Sequence, residues 1–478
     1  MQQFLDSPLA AAPAHLDRPA VVDANRTWTW RQVHEASVAL SRRLEEASAV
    51  CNLCTSRAGF LITCLATLRN RCLMILPPSG SSADLAAVMK AEARPVAVGD
   101  PEAWPEPGCG DRLEAGSYVC WHHASNPTAA GEKELAWQPP WDEIAVLLHT
   151  SGSTGAPQPQ PKTLRHLAMG ALVLGARLAK DVEGGPAAIG RIICSVPPQH
   201  MYGLECSVLL PLVYGMPVHE GRPLLPADVR AAFAGSQPGA WIATPMHLRS
   251  LVQSAERVPS CSVVIVSTMP LTRAVARQSE LLVQAPVLEI YGSTETGALA
   301  MRRTARDMRW LPMDGVQLEC ADGATVGRGS HFASPVRLLD EVALDANGSF
   351  TLLGRRADLI KIAGHRASLA GLNLLLQDLP GLEDGVLYLP ATGNPTERLC
   401  LIHSGPPLDR AAARRWLRAR IDPVFLPRTF IRVERLPRSD NGKLRRQMLD
   451  LVYAEWLSAA QPAPGRRRAA AKDPAECS

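Results

Sequence analysis

Over residues 239–291 the sequence keeps returning to one alternation. GAWIAT, PMHLRSLVQSA, SVVIVS, RAVARQSELLV and VLEIY read as strand, helix, strand, helix, strand. The strand-like runs are short and continuously apolar, which suits strands buried on both faces. A βαβ series of this kind folds into a mostly parallel sheet covered by helices. Upstream runs extend the series: IAVLLH at 144–149, a helix over about residues 165–180, RIICSV at 191–196 and LECSVLLPLV at 204–213. In such sheets ligands gather beyond the carboxyl ends of the strands, where loops converge.

The expected fold is therefore α/β. A chain of 478 residues, 46% of them hydrophobic, can bury a large core and usually divides into more than one domain. A large N-terminal domain with mostly parallel, helix-covered sheets is expected over residues 1–354. It would open with a strand and an amphipathic helix at 19–46 and a helix and strand at 58–76, with an irregular stretch at 100–142. From about residue 355 the chain becomes compact and basic, and short strands and two helices follow to residue 457. That segment reads as a small C-terminal α+β domain on a hinge. Residues 458–478, SAAQPAPGRRRAAAKDPAECS, hold almost no large apolar side chains and read as a disordered basic tail.

Charge and cysteine usage exclude several classes. The formal net charge is only +4, and much of the excess sits in the tail at Arg466, Arg467, Arg468 and Lys472. The body does not read as a nucleic-acid binder. The N-terminus lacks a charged segment followed by an apolar one, and no apolar run of about 18 residues occurs, so neither a secretory signal nor a membrane span is expected. A cytoplasmic protein follows. Of 12 scattered cysteines, Cys51 and Cys54 form a CxxC, with Cys64 and Cys72 nearby. The second pair does not repeat the first spacing, so buried reduced thiols are expected rather than a metal site.

Four segments carry chemistry. Thr150, Ser151, Gly152, Ser153, Thr154 and Gly155 follow a buried strand. Their backbone N–H groups and hydroxyls can converge on one anion, although a flexible turn reads equally well. Glu289-Ile290-Tyr291-Gly292-Ser293-Thr294-Glu295-Thr296-Gly297 ends the VLEIY strand. A carboxylate beside hydroxyls there suits a Mg²⁺–phosphate site, or a turn with a solvated Glu. Asp340, with Leu353-Gly354-Arg355 downstream, could accept both hydroxyls of a ribose; surface Asp and Arg are also common. Asp440-Asn441-Gly442 makes a tight turn. Lys443 follows it and begins a helix to about residue 454, where it could reach a cleft or simply be solvated.

In this order the four resemble the acyl-adenylate-forming superfamily of acyl- and aryl-CoA synthetases, luciferases and peptide-synthetase adenylation domains. GRRADLIKIAGHR adds a fifth matching segment, and the resemblance runs from about residue 18 to residue 455. It implies ATP and Mg²⁺ as cofactors and a pantetheine thiol, of CoA or an acyl carrier protein, as acceptor. By resemblance, Thr150 to Gly155 would wrap the β- and γ-phosphates. Tyr291, Gly292, Ser293 and Thr294 would line the nucleotide, Thr294 at the α-phosphate, and Glu295 would hold the metal. Asp340 would bind the ribose with Arg355 close by. Lys443 would bridge the carboxylate and the α-phosphate. His200, Trp241, Ser267, Thr268 and Met269 would border the acyl pocket, and Gly364 would line a pantetheine tunnel.

The sequence also departs from the family pattern. The Pro-Lys after the second glycine is Pro157-Gln158 here, and Lys162 is out of register with it. The hinge acidic residue falls on Ala357. His200 stands where amino-acid-activating domains carry an Asp, which argues against amino acids. PPQHMYGLE, TSGSTGAPQP and IKIAGHRASLAGLN look most like AMP-ligases of aryl-polyene and xanthomonadin-type pigment pathways. The expected substrate is then an aryl acid such as a hydroxybenzoate. A medium-chain fatty acyl ligase is the alternative, and a non-catalytic nucleotide- or acyl-adenylate-binding protein is the alternative of another class.

Overall fold

The computed structural model describes residues 16–77, 82–100, 118–124, 132–135, 137–150, 158–235, 237–258, 261–321, 324–355, 359–376, 379–390, 398–438, 444 and 446–460. The chain forms two units, Met1–Ala357 and Asp358–Ser478.

The first unit holds two large sheets. One has nine strands, of which six adjacent ones run parallel: Val287–Ser293, Cys261–Val266, Gly239–Ala243, Ile192–Cys194, Val218–His219 and Pro19–Val22. Gly297–Arg302 and Leu311–Pro312 extend it antiparallel beyond Val287–Ser293. The other has six strands. Five are parallel, from Tyr118–Cys120 across to Ile144–Thr150, and Gln158–Thr163 closes the edge antiparallel. The expected mostly parallel, helix-covered architecture is what the chain adopts.

Two helical segments connect the sheets' cores. Leu164–Asp181 gives Leu164, Leu167 and Ala171 to the core beneath the six-stranded sheet, and Val173, Leu174 and Leu178 to the core beneath the nine-stranded one. Met201–Tyr214 divides in the same way, Leu204 and Val208 on one side, Cys206 and Leu210 on the other. A helix apolar on opposite faces is stable only between two apolar layers. The Arg57–Arg69 helix is buried almost all round, and enclosing a side chain such as Phe60 or Leu65 contributes about 1.5–3 kcal/mol.

The second unit is a three-stranded sheet, Asp384–Tyr388, Cys400–Ser404 and Thr429–Arg432. Alternate residues of its central strand face two cores: Leu401 packs in the core that holds Leu417 and Phe430, and Ile402 in the one that holds Ile431 and Leu449. Among the described residues it carries three helices, Leu369–Leu376, Arg410–Arg418 and Arg446–Ala460, where the sequence suggested two. LAGLNLLL is too evenly apolar to display a helical period. The last helix runs past residue 457, and residues 461–478 lie outside the described residues.

Cys51, Cys54, Cys64 and Cys72 are all buried. Burial pushes the Cys51 and Cys64 thiols up to about 12 and Cys72 to about 11. Among the described residues no helix is long and apolar enough to cross a membrane.

Candidate active site

The Val287–Ser293 strand ends in a turn at Thr294, Glu295 and Thr296, and the chain returns as Gly297–Arg302. Two glycines permit this hairpin. A Cβ at Gly292 would lie 2.0 Å from the Gly297 carbonyl oxygen, and Gly297 has a φ of +63°, a backbone state that favours glycine. Within the turn, Ser293 N donates to Thr296 Oγ1 at 3.0 Å, and Thr296 N to Ser293 Oγ at 3.4 Å. Thr294 and Glu295 are half-buried at the tip.

A buried ion pair anchors the base of the hairpin. Arg302 Nε donates to Glu289 Oε2 at 2.8 Å, Thr304 Oγ1 reaches the same oxygen at 2.6 Å, and Leu271 N donates to Oε1 at 3.0 Å. Glu289 thus serves structure rather than the metal.

Among the described residues, the Glu295 carboxylate has no ion-pair partner, and no cluster of three or more His, Cys, Asp or Glu stands ready for a metal. One uncommitted carboxylate at a strand terminus fits Mg²⁺, which takes few protein carboxylates and completes its shell with phosphate and water.

The backbone beside that carboxylate is held from the core. Lys162, on the Gln158–Thr163 strand, is buried and donates from Nζ to the Glu295 carbonyl. Burial lowers the Lys162 pKa, while the charges of Glu295 and Glu205 act against that shift. Glu205 is buried, and its Oε2 accepts from Ala298 N at 3.1 Å. Burial raises its pKa to about 7, opposed by that hydrogen bond and by Lys162. His331 Nε2 donates to the Ala298 carbonyl at 3.0 Å. Glu205 opens a π-helical stretch, Glu205–Leu209, an uncommon feature that often occurs at functional sites.

Tyr291 Oη donates to Asp340 Oδ2 at 2.7 Å. The Tyr291 ring packs on Trp310 and Phe350, with centroids 5.5 and 5.9 Å away. Asp340 opens the Asp340–Leu344 strand, and its register partner is Arg355. The structure thereby brings Tyr291, Asp340 and the Arg355 backbone together.

Ser267 Oγ donates to the Ile290 carbonyl at 3.1 Å. Thr268 has a φ of +85°, and its buried hydroxyl finds no hydrogen-bond partner among the described residues. Tyr202 Oη lies 2.7 and 3.0 Å from the Ile265 and Ala243 carbonyls, so the segment after His200 is tied to two strand ends beside Ser267. His200 precedes the Met201–Leu204 helix, and Met269 is half-buried. Trp241 departs from the expected pocket role. It is fully enclosed in a core, and its Nε1 donates to Ser195 Oγ at 2.9 Å, because its strand is covered on both faces.

Ser151, Gly152, Ser153, Thr154, Gly155 and Lys443 lie outside the described residues, as do the side chains of Thr150 and Arg355. On either side of residues 151–157, Thr150 pairs with Gln158 between antiparallel strands. In the second unit, Ala363 and Gly364 form the turn between Leu359–Ile362 and His365–Ser368, with φ of 48° and 89°. Positive φ at both positions is what a two-residue I′ hairpin turn requires. Sequence reasoning passed over Lys162 as out of register and did not single out Glu205, His331 or Tyr202. A lysine in an otherwise uncharged hairpin, QPQPKT, was the available signal for Lys162.

The profile of the family described as "AMP-binding enzyme" matches residues 9–329. The 4-coumarate–CoA ligase of Cereibacter sphaeroides is 30% identical over 301 residues, 62% of this chain and 69% of the relative. The p-hydroxybenzoic acid–AMP ligase FadD22 of Mycobacterium tuberculosis is 27% identical over 370 residues, 68% of this chain and 52% of the relative. The o-succinylbenzoate CoA synthetase (MenE) of Bacillus subtilis, solved with ATP and magnesium ion, superposes with a TM-score of 0.77 at 17% identity, over 93% of this chain and 98% of that one. That likeness establishes the fold.

Proposed function

The chain belongs to the AMP-binding enzyme family, and on that premise we propose that it activates an aryl acid with ATP and passes the acyl group to a thiol. A carboxylate oxygen attacks the α-phosphorus and pyrophosphate leaves. The thiol sulfur then attacks the acyl carbon, and AMP leaves with that oxygen. The observation that carries the reading is convergence on one hairpin. Lys162 from the phosphate-loop strand, Asp340 from a separate small sheet and the Ser267 segment all bond to residues 289–295.

In this reading Asp340 accepts the ribose hydroxyls, with its carboxylate oriented by Tyr291. Thr294 meets the α-phosphate, and Glu295 holds Mg²⁺. The bound ion offsets phosphate charge and reduces repulsion between two anions. Residues Thr150 to Gly155 cradle the β- and γ-phosphates. Lys443 supplies a positive charge where negative charge develops in the first step. Gly364 lines the path of the pantetheine arm, and His200, Ser267, Thr268 and Met269 border the acid.

For the substrate we favour a hydroxybenzoate, in the manner of the pigment-pathway ligases the sequence resembles. The names of the relatives from Cereibacter sphaeroides and Mycobacterium tuberculosis also refer to aryl acids. The acceptor is CoA or a carrier protein, and the proposed location is the cytoplasm, where ATP and reduced thiols are available. The test is acid-dependent ATP–pyrophosphate exchange with hydroxybenzoates, cinnamates, graded fatty acids and amino acids. Exchange with a hydroxybenzoate supports the reading. Exchange with fatty acids alone replaces the substrate class. ATP binding without exchange favours a non-catalytic binding protein.

A further inference from the structure

Gln158 opens the Gln158–Thr163 strand, where the family pattern that the sequence resembles has a lysine. The chain carries a different lysine nearby, and it is buried. Lys162 pairs with Val146 in the strand register, is 4% exposed, and directs Nζ at the Glu295 carbonyl. An enclosed ammonium is costly to keep without compensating partners. It has that carbonyl and the nearby negative charges of Glu295 and Glu205.

The surroundings are shaped for this arrangement. A Cβ on Gly170 would lie 2.8 Å from Glu205 Oε1, and one on Gly297 would lie 3.1 Å from it, so the carboxylate occupies space those glycines leave. Glu205 and His331 bond the N–H and C=O of Ala298. Residues 295–298 are therefore clamped at both ends by buried polar groups, and among the described residues the Glu295 carboxylate is in no ion pair, its charge acting on Lys162 only at longer range.

We infer that Lys162 is a positioning residue that, with Glu205 and His331, fixes the Glu295 segment so that its carboxylate holds the Mg²⁺ of bound ATP. The inference rests on the adenylation reading above. Lys162 acts through the Glu295 backbone, so its loss should weaken metal-dependent nucleotide binding rather than binding in general.

The test is equilibrium binding of ATP to the full chain without acid, in Mg²⁺ and in EDTA, for the wild type and Lys162→Met. The expected result is a Kd in Mg²⁺ raised about tenfold, with binding in EDTA changed less than about twofold. Equal weakening in both conditions, with a lowered melting temperature, would mean a merely structural role and overturn the inference. An unchanged Kd in both would overturn it as well. If Lys162→Met does not fold, Lys162→Arg serves. Its planar head cannot place one donor at the same point, so the Mg²⁺ needed for half-maximal ATP binding should rise, and an unaltered requirement would overturn the proposal. A wild-type protein that binds no ATP overturns the adenylation reading and this inference together. A wild type that binds, with variants indistinguishable from it, overturns this inference alone.

Discussion

The Tyr291 hydroxyl donates to Asp340 Oδ2 at 2.7 Å, across 49 positions of sequence. It joins the hairpin that carries Glu295 to the carboxylate proposed for the ribose. Tyr291→Phe keeps the ring packed on Trp310 and Phe350 and removes only the donor. A hydrogen bond to a charged group is worth about 1.5–3 kcal/mol, so KM for ATP should rise by roughly tenfold or more with KM for the acid unchanged. Steady-state exchange kinetics checks this, and an unaltered KM for ATP would separate Tyr291 from the nucleotide site.

The Glu289–Arg302 pair is buried on both sides, with side-chain exposures of 3% and 8%. Arg302 also lies over the Trp310 ring at 4.1 Å. Removing one partner strands the other charge in the core. Arg302→Met should therefore cost about 3–5 kcal/mol of stability, and Arg302→Met with Glu289→Gln distinctly less. Urea unfolding midpoints for the single and double variants decide it.

Thr268 is a β-branched residue at a φ of +85°, with an enclosed hydroxyl that has no hydrogen-bond partner among the described residues. Such strain costs about 1–3 kcal/mol, more than the roughly 0.5–1 kcal/mol that glycine adds in unfolded-chain entropy. Thr268→Gly should stabilise the protein by about 1 kcal/mol in denaturant titration. Because Thr268 is proposed to border the acid, the protein's selectivity across the acid panel should change in the same variant.

His247 Nδ1 accepts from Thr244 N at 3.0 Å, so the imidazole is neutral there. Burial, helped by the Arg222 charge, lowers its pKa to about 4. The unfolded imidazole titrates near pH ~6.5. Between those values the unfolded state binds more protons. The stabilisation is whole above pH ~6.5 and is lost as pH falls toward the folded pKa. His247→Gln should flatten the loss of unfolding free energy between pH 7.5 and pH 5. An identical slope in wild type and variant would contradict the assignment.

Much of the first unit was readable from residues 239–291, because strands buried on both faces show as unbroken apolar runs bounded by helical periods. The same property concealed the role of Trp241. A continuous run does not say which side chain meets a ligand and which meets a helix, and Trp241 meets Ser195 in a core. Glu295 stood out as a candidate because strand ends gather ligands. Lys162 did not, because its meaning depends on the hairpin register that turns it inward to the Glu295 carbonyl. Tyr202 and His331 act by contacts between segments far apart in the chain, and local pattern carries no trace of these.

The most direct test of the central claim follows the carboxylate oxygen. The protein is incubated with ATP, Mg²⁺, a thiol acceptor and a hydroxybenzoate whose carboxylate oxygens are both ¹⁸O, and the released nucleotide is weighed by mass spectrometry. Attack of the carboxylate on the α-phosphorus predicts AMP carrying a single labelled oxygen, with unlabelled pyrophosphate. Label found in inorganic phosphate alongside ADP, or absent from the AMP while a thioester accumulates, would contradict the adenylate route.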